Sequence, residues 1–136
     1  MKRLLFTILL IFAFFGCTTD HIETVVDVIQ SKPTHLRVVN ELEEDFYSIN
    51  TVEMGDFKFK GLKIPQSKSR KFRLNGELPA DVDGIEITVT YSSATRTLSE
   101  TGIIDLYPGG TTIIWLTGRE GCGGCGGHSI EWGWED

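Results

Sequence analysis

From residue 35 onward, hydrophobic and polar residues alternate in short runs, and turn-forming residues separate the runs. The clearest run is Ile85–Tyr91, whose odd-numbered residues are apolar or aromatic and whose even-numbered residues are polar. This alternation is typical of a strand with one face in the core and the other in water. Similar runs occur at Leu36–Asn40, Phe46–Met54, Phe57–Ile64, Ser69–Leu74, Ile103–Leu106 and Thr111–Leu116. The pattern predicts an all-β domain over residues 35–118, a single antiparallel sandwich of about seven strands.

Turn-forming residues predict how the strands connect. Pro108-Gly109-Gly110 is expected to form the turn between the last two of these strands, and Asn75–Gly84 a longer surface connection. Residues 119–136 follow as a segment rich in glycine and cysteine and then in aromatic residues. We expect this segment to be a loop followed by a final strand or a tail.

The first sixteen residues have a different pattern. Two basic residues precede Leu4–Phe15, in which only Thr7 is polar, and Gly16-Cys17 follows. A charged start, an apolar stretch and a small residue in this order are typical of a secretory signal. A membrane-spanning helix needs about 20 apolar residues, so this stretch is too short to favour a permanent span.

Gly16-Cys17 at the end of this signal resembles the lipobox of bacterial lipoprotein precursors. The resemblance implies that residues 1–16 are removed and that Cys17 becomes an acylated first residue, which would attach the protein stably to a membrane. Thr18 is not the aspartate that retains enterobacterial lipoproteins at the inner membrane, so the resemblance implies the outer membrane. The alternative is an ordinary secretory signal that leaves Cys17 unmodified.

Residues 17–34 are expected to carry the lipidated cysteine and a tether. Four apolar residues between Ile22 and Ile29 fall at helical spacing, but the many β-branched residues of the same stretch suit a strand equally well. Pro33 ends the segment in either case. The sequence leaves open which structure forms here.

Charge limits the class of partner. The chain has 136 residues and a net charge of −6, and removal of residues 1–16 leaves 11 basic and 19 acidic side chains, a net charge of −8. Nucleic-acid binding depends on basic residues that neutralise phosphates, so this balance argues against it. The length suits one domain with one core.

The first candidate for chemistry is the segment with Cys122, Cys125 and His128, which are spaced three positions apart among glycines. Thiolate and imidazole ligands suit zinc or copper, but a closed site needs a fourth ligand, for which His21 or His35 is a candidate. A disulfide between Cys122 and Cys125 is the preferred interpretation, since exported cysteines meet an oxidising compartment. Free thiols are a third possibility.

The second candidate is the C-terminal aromatic segment. His128, Ile130, Trp132 and Trp134 alternate and would lie on one face of a final strand. If exposed, Trp132 and Trp134 would form a flat platform that stacks on sugars or enters a partner's pocket. If covered, they complete the core.

The third candidate is a basic segment. Seven basic residues and no acidic residue lie between Lys58 and Arg73. Alternation predicts that Lys58, Lys60, Lys71 and Arg73 point outward, and they form one basic face if their two strands pair. An anionic glycan, a lipid headgroup or an acidic protein could bind there. Alternatively, the charges keep edge strands soluble.

No catalytic constellation is evident. The acidic residues at 41–45, Asp81 and Asp83 are more typical of solvated loops, and Ser92 and Ser93 belong to no nucleophile motif. The strand pattern over Leu36–Gly118 resembles the immunoglobulin-like or transthyretin-like sandwiches of small envelope lipoproteins. We therefore expect a non-enzymatic, lipid-anchored envelope protein that binds a glycan or a protein. The alternatives are a metal-handling or thiol-redox protein and a purely structural component.

Overall fold

The computed structural model of the protein describes residues 32–75, 78, 82–121 and 126–135. Within these ranges the chain forms eight β-strands. The strands are β1 (His35–Leu42), β2 (Ser48–Met54), β3 (Phe57–Phe59), β4 (Ser69–Arg73), β5 (Ile85–Ser92), β6 (Thr97–Ile104), β7 (Thr111–Gly118) and β8 (Ser129–Glu135). No helix in this part of the chain is long and apolar enough to cross a membrane. The predicted signal, Cys17 and most of the tether lie outside the described residues.

The strands form two four-stranded sheets, which confirms the predicted β-sandwich. Sheet A has the order β4-β1-β7-β8, and sheet B has the order β3-β2-β5-β6. Neighbouring strands are antiparallel except β1 and β7, which run parallel with His35 level with Thr111. This one parallel pair departs from the antiparallel prediction, and it joins segments that are far apart in the sequence.

The core lies between the two sheets and follows the predicted alternation. Ile87, Val89 and Tyr91 of β5 are fully buried, as are Leu36 and Val38 of β1. Burying an aliphatic side chain of this size contributes about 1.5–3 kcal/mol to stability, so these faces provide the main force that holds the sheets together. Residues 33–136 form a compact unit by themselves, and every buried side-chain polar atom that the structure describes has a hydrogen-bond partner.

Two strand predictions are wrong in their boundaries. β6 covers Thr97–Ile104 rather than Ile103–Leu106; it is the edge strand of sheet B, and its exposed face is polar except at Ile103. β3 ends at Phe59, so most of the predicted strand Phe57–Ile64 leaves the sheet. The chain returns only in an isolated bridge between Ile49 and Ile64. Edge strands contact the core with few residues, so the hydrophobic pattern marks them poorly.

Asn40 connects the two halves of the sandwich. Its side chain is fully buried, and its Nδ2 donates to the carbonyl oxygens of Tyr47 and Ile64 at 3.0 Å each. Its Oδ1 accepts from the Leu42 amide at 3.2 Å. A strand residue of sheet A thus satisfies two backbone carbonyls next to sheet B.

The strand β8 completes sheet A. It pairs antiparallel with β7, with Trp132 level with Ile114, so the sandwich continues to Glu135. Ile130 and Trp132 pack partly against the core. A Cβ added at Gly102 of β6 would lie 3.2 Å from the Cβ of Ile130, so the edges of the two sheets pack closely on this side.

The strand pairings also decide which loops share an end of the sandwich. His35 is level with Thr111, and Thr111 is level with Glu135. We call this the Tyr107 end, because the turn that carries Tyr107 leads into β7 there. The opposite end, where Thr117 is level with Ser129, is called the His128 end.

Candidate functional site

The predicted site residues fall in three separate places. His128 lies at the His128 end, Trp132 and Trp134 lie on β8, and the basic residues lie along the side formed by β3 and β4. Cys17, Cys122 and Cys125 lie outside the described residues. The acylation of Cys17 and the state of the Cys122–Cys125 pair therefore stay predictions.

At the His128 end, the side chain of His128 lies within a hydrogen-bonded network and is only 4% exposed. Its Nε2 is 3.2 Å from Glu44 Oε2, and its Nδ1 is 2.5 Å from the Tyr91 hydroxyl. Because an ionised carboxylate can only accept, Nε2 donates to Glu44, and Nδ1 shares a hydrogen bond with the Tyr91 hydroxyl. The Tyr91 hydroxyl also lies 3.3 Å from Glu100 Oε1. We call these four residues the His128 network.

A second group of side chains closes the network. The Tyr47 hydroxyl donates to the Glu120 carboxylate, and Arg96 pairs with the same carboxylate at 2.5 Å. The Glu120 amide in turn donates to the carboxylate of Glu44. The rings of Tyr47 and Tyr91 meet the His128 imidazole edge to face, at centroid distances of 5.6 and 5.1 Å.

The titration of the network favours a structural role. Burial alone would raise the pKa of Glu44, but hydrogen bonds from the Glu120 amide and from His128 outweigh it and hold that pKa below its usual value. Burial, with the nearby Glu100 carboxylate, raises the pKa of Tyr91. The hydrogen bond to Glu120, followed by burial, raises the pKa of Tyr47. Both phenols therefore stay protonated at neutral pH, and neither is activated as a nucleophile or a base.

The alternative in which Cys122, Cys125 and His128 bind a metal stays a prediction, and the structure shows only the surroundings of His128. Both of its ring nitrogens are already hydrogen-bonded to protein side chains. His35, which was considered as a fourth ligand, lies at the other end of sheet A, roughly 20 Å away along the length of β7. Among the described residues, no three His, Cys, Asp or Glu side chains are grouped to hold a metal ion.

A cleft of about 350 Å³ lies beside the His128 network. Its lining includes Tyr91, Arg96, Glu100, Glu120 and His128. Arg96 pairs with Glu120 there, and His128 bonds to Tyr91, so the polar groups of the cleft bond mainly to one another. No sequence pattern predicts this arrangement, because Glu44 stands in an acidic run that is typical of a solvated loop.

The basic strands do not pair, so this part of the basic-face prediction is wrong. β3 is the edge of sheet B, and β4 is the edge of sheet A. Lys58 and Lys71 therefore point away from opposite faces of the sandwich. The two edges nevertheless face each other on one side of the molecule, because the rings of Phe59 and Phe72 stack with centroids 4.6 Å apart. Arg70 also donates to the Leu62 carbonyl at 3.3 Å.

Seven exposed basic side chains belong to β3, β4 and the loop between them, which together we call the basic edge. They are Lys58, Lys60, Lys63, Lys68, Arg70, Lys71 and Arg73. Within the described part of the chain, the ion pair of Lys58 with Glu53, at 2.5 Å, is the only one that involves this edge. Both partners are about half exposed, so that pair contributes little to stability. The basic edge is positively charged although the whole chain is acidic.

The two C-terminal tryptophans have different environments. Trp132 is half-buried against the core, whereas Trp134 is 58% exposed. Their ring centroids are 5.5 Å apart and the rings are tilted by 59°, so they do not form the flat platform that was predicted. The indole N–H of Trp134 donates to the Asp105 carbonyl at 3.0 Å.

Tyr107 is the aromatic residue at this end that the sequence did not single out. It is 37% exposed, and its ring centroid lies 5.9 Å from that of Trp134. The ring lies directly over Gly110, where a Cβ would collide with it. In the sequence, a tyrosine before Pro-Gly-Gly predicts only a turn. The position of the Tyr107 ring depends on its close contact with Gly110, which the sequence does not show.

Comparisons with known proteins give little further information. No protein-family model matches the chain, and no curated protein matches it. Among solved structures, the NMR structure of a protein from Eubacterium rectale is similar to it, with 14% sequence identity and a TM-score of 0.45. The similarity covers 74% of this chain and 88% of that one. At this level it carries no inference about function.

Proposed function

We propose that the protein is a non-enzymatic, lipid-anchored component of the cell envelope that binds an anionic glycan along the basic edge. The resemblance of Gly16-Cys17 to a lipobox supports anchoring, and Thr18 supports the outer membrane. The observation that carries the proposal is that seven exposed basic side chains belong to β3, β4 and the loop between them in an acidic domain. Charge of one sign on one surface raises the local concentration of ligands of the opposite sign.

The shape of the basic edge suits an extended ligand. The residues of β4, Ser69–Arg73, extend over roughly 17 Å, and basic side chains continue through the loop that connects β3 with β4. Like charges held side by side repel one another, and a bound polyanion relieves that repulsion. A linear chain of acidic sugars can contact several of these side chains in succession.

The residues around the basic edge favour a glycan over a protein. Protein interfaces have buried apolar anchors at their centres. In the described part of the chain, the exposed large hydrophobic residues are Phe46, Ile103, Tyr107 and Trp134, and none of them belongs to the basic edge. Recognition at this edge therefore depends on charge and hydrogen bonding, which are the contacts that acidic sugars offer.

The proposal can be tested by calorimetric titration of residues 33–136 with a carboxylated polysaccharide and with neutral dextran. Binding to the acidic polymer is expected, and K71A/R73A is expected to weaken it about tenfold, since contacts to charged groups contribute about 1.5 kcal/mol or more in total. The matched control is R96A/R119A, which removes two exposed charges outside the basic edge. Equal effects of the two double variants, or equal binding to dextran, would contradict the proposal.

The anchor requires a separate experiment. The intact mass of the protein extracted from membranes is expected to show acyl groups on Cys17 and the loss of residues 1–16. C17S is expected to move the protein from the membrane fraction to the soluble fraction. An unmodified Cys17 in the membrane-bound protein would contradict the lipid anchor and leave the glycan proposal unaffected.

A further inference from the structure

We infer that the Tyr107 end of the sandwich rests on the lipid surface and inserts the rings of Tyr107 and Trp134 among the lipid headgroups. The inference depends on the lipid anchor of the proposed function and is independent of the glycan proposal. It explains why these aromatic residues are exposed, which packing within the fold does not explain.

The exposure of Trp134 is the first observation. Its side chain is 58% exposed, although its neighbour on the same face, Trp132, packs against the core. The indole N–H already donates to the Asp105 carbonyl, so the ring can leave water without losing a hydrogen bond. Tyr107 adds a second exposed ring 5.9 Å away. Tryptophan and tyrosine are the side chains that membrane proteins concentrate at the interface between lipid and water.

The turn holds Tyr107 in place before any binding occurs. Its amide donates to Thr112 Oγ1 at 2.9 Å, and its carbonyl accepts from the Gly110 amide at 3.0 Å. Its ring fills the space that a side chain at position 110 would occupy. A ring that is already ordered loses little conformational freedom when it enters the interface.

The path of the chain identifies the lipid surface as the occupant. The Gly109 amide donates to Thr34 Oγ1 at 2.9 Å, and the His35 amide donates to the Gly110 carbonyl at 2.9 Å. The segment that connects to Cys17 therefore joins the sandwich at the same turn that carries Tyr107. The residues between Cys17 and Thr34 can span at most about 60 Å, so a lipidated Cys17 keeps this end at high effective concentration near the bilayer.

The charges at this end suit a headgroup layer. Lys32 is exposed just before the sandwich, so a basic group is available for lipid phosphates. Two of the acidic groups there have partners: Glu135 pairs with Arg37 at 3.1 Å, and Asp105 accepts from the Gly84 amide at 2.7 Å. Asp83 is exposed at the same end. The mixture of signs suits a surface that contains both zwitterionic and anionic lipids.

The test uses the full lipidated protein in vesicles of phosphatidylethanolamine and phosphatidylglycerol, in which a fraction of the lipid carries bromine as a fluorescence quencher. Brominated lipid is expected to quench tryptophan emission, and W134F is expected to remove most of this quenching, since Trp134 alone among the three tryptophans is prominently exposed at this end. The matched control is W115F, which removes the half-buried ring on the outer face of sheet A and should leave the amount of emission that brominated lipid quenches unchanged.

Flotation of the same vesicles separates the two possible failures. Protein that floats with the vesicles but shows no quenching, or equal quenching in W134F, would overturn the inference and leave the anchor intact. Protein that does not float would overturn both the anchor and the inference. Because Trp134 is largely exposed, W134F is expected to keep the wild-type unfolding temperature. If W134F unfolds at a lower temperature than the wild type, Y107S and a second quenching experiment replace it. In that experiment, vesicles must protect Trp134 of the native protein from quenching by aqueous iodide.

Discussion

The Nε2 atom of His128 lies 3.2 Å from Oε2 of Glu44, and this hydrogen bond joins residues 84 positions apart. It connects the segment that follows β1 with the residue that precedes β8. Since His128 is almost fully buried, the bond forms where water competes little for either partner. The His128 network therefore fixes the start of β8, the strand that carries Trp132 and Trp134.

Replacement of His128 should destabilise the fold. H128A leaves the buried Tyr91 hydroxyl and the Glu44 carboxylate without a shared partner, and we expect a loss of about 3 kcal/mol in the free energy of unfolding. Urea unfolding at pH 7 measures this loss. H35A, which changes a histidine at the opposite end of the sheet, serves as the control and should cost less than about 1 kcal/mol. Equal losses would show that the network contributes nothing specific.

Acid should weaken the protein through Glu44. The folded protein holds the pKa of Glu44 below its ordinary value of 4.5. The resulting stabilisation is present in full above about pH 4.5 and is lost as the pH falls through the folded-state pKa, because the unfolded chain then binds the proton more tightly. Unfolding free energies measured between pH 3 and 7 should decline less steeply in E44Q than in the wild type. E41Q, at an exposed position on β1, should follow the wild-type curve.

Loss of the Asn40 side chain should have a larger effect than loss of a surface asparagine. N40A removes the donor to the carbonyls of Tyr47 and Ile64 and the acceptor for the Leu42 amide. The Tyr47 carbonyl and the Leu42 amide lose this partner, and the Ile64 carbonyl keeps only the Ile49 amide, so we expect at least about 2 kcal/mol of destabilisation. Thermal or denaturant unfolding checks this, with N75A at an exposed position as the control. A loss below about 1 kcal/mol would mean that water reaches these groups.

Gly118 should tolerate a side chain less well than another glycine with a positive φ. Gly118 has a φ of +97°, and a Cβ there would collide with the carbonyl of Gly127. Gly55 has a φ of +55° with open space around it. G55A should therefore show only the cost of the left-handed backbone, about 1–2 kcal/mol, and G118A a larger loss. Similar losses in the two variants would show that the His128 end adjusts to the added atom.

Local alternation predicts on which face of a strand a residue lies. The alternation of Ile85–Tyr91 placed Tyr91 in the core correctly, because a strand sends successive side chains to opposite faces. The same rule predicted that Lys58 and Lys71 point outward, and both are exposed. It missed most of β6, because an edge strand needs few apolar residues. It also could not predict that Glu44 lies beside His128, because an acidic run in a loop has the same sequence pattern whether or not one of its residues is buried.

The sequence by itself determined the all-β class, the faces of the main strands and the resemblance of the first seventeen residues to a lipoprotein signal, because each depends on neighbours in the chain. The tertiary structure decided that β3 and β4 belong to different sheets and that β1 pairs with β7 in parallel. Those pairings place the basic strands at the edges of two sheets, put Tyr107 beside Trp134 and move His35 far from His128. They are decided by the packing of two whole sheets against each other, which no local pattern of residues contains.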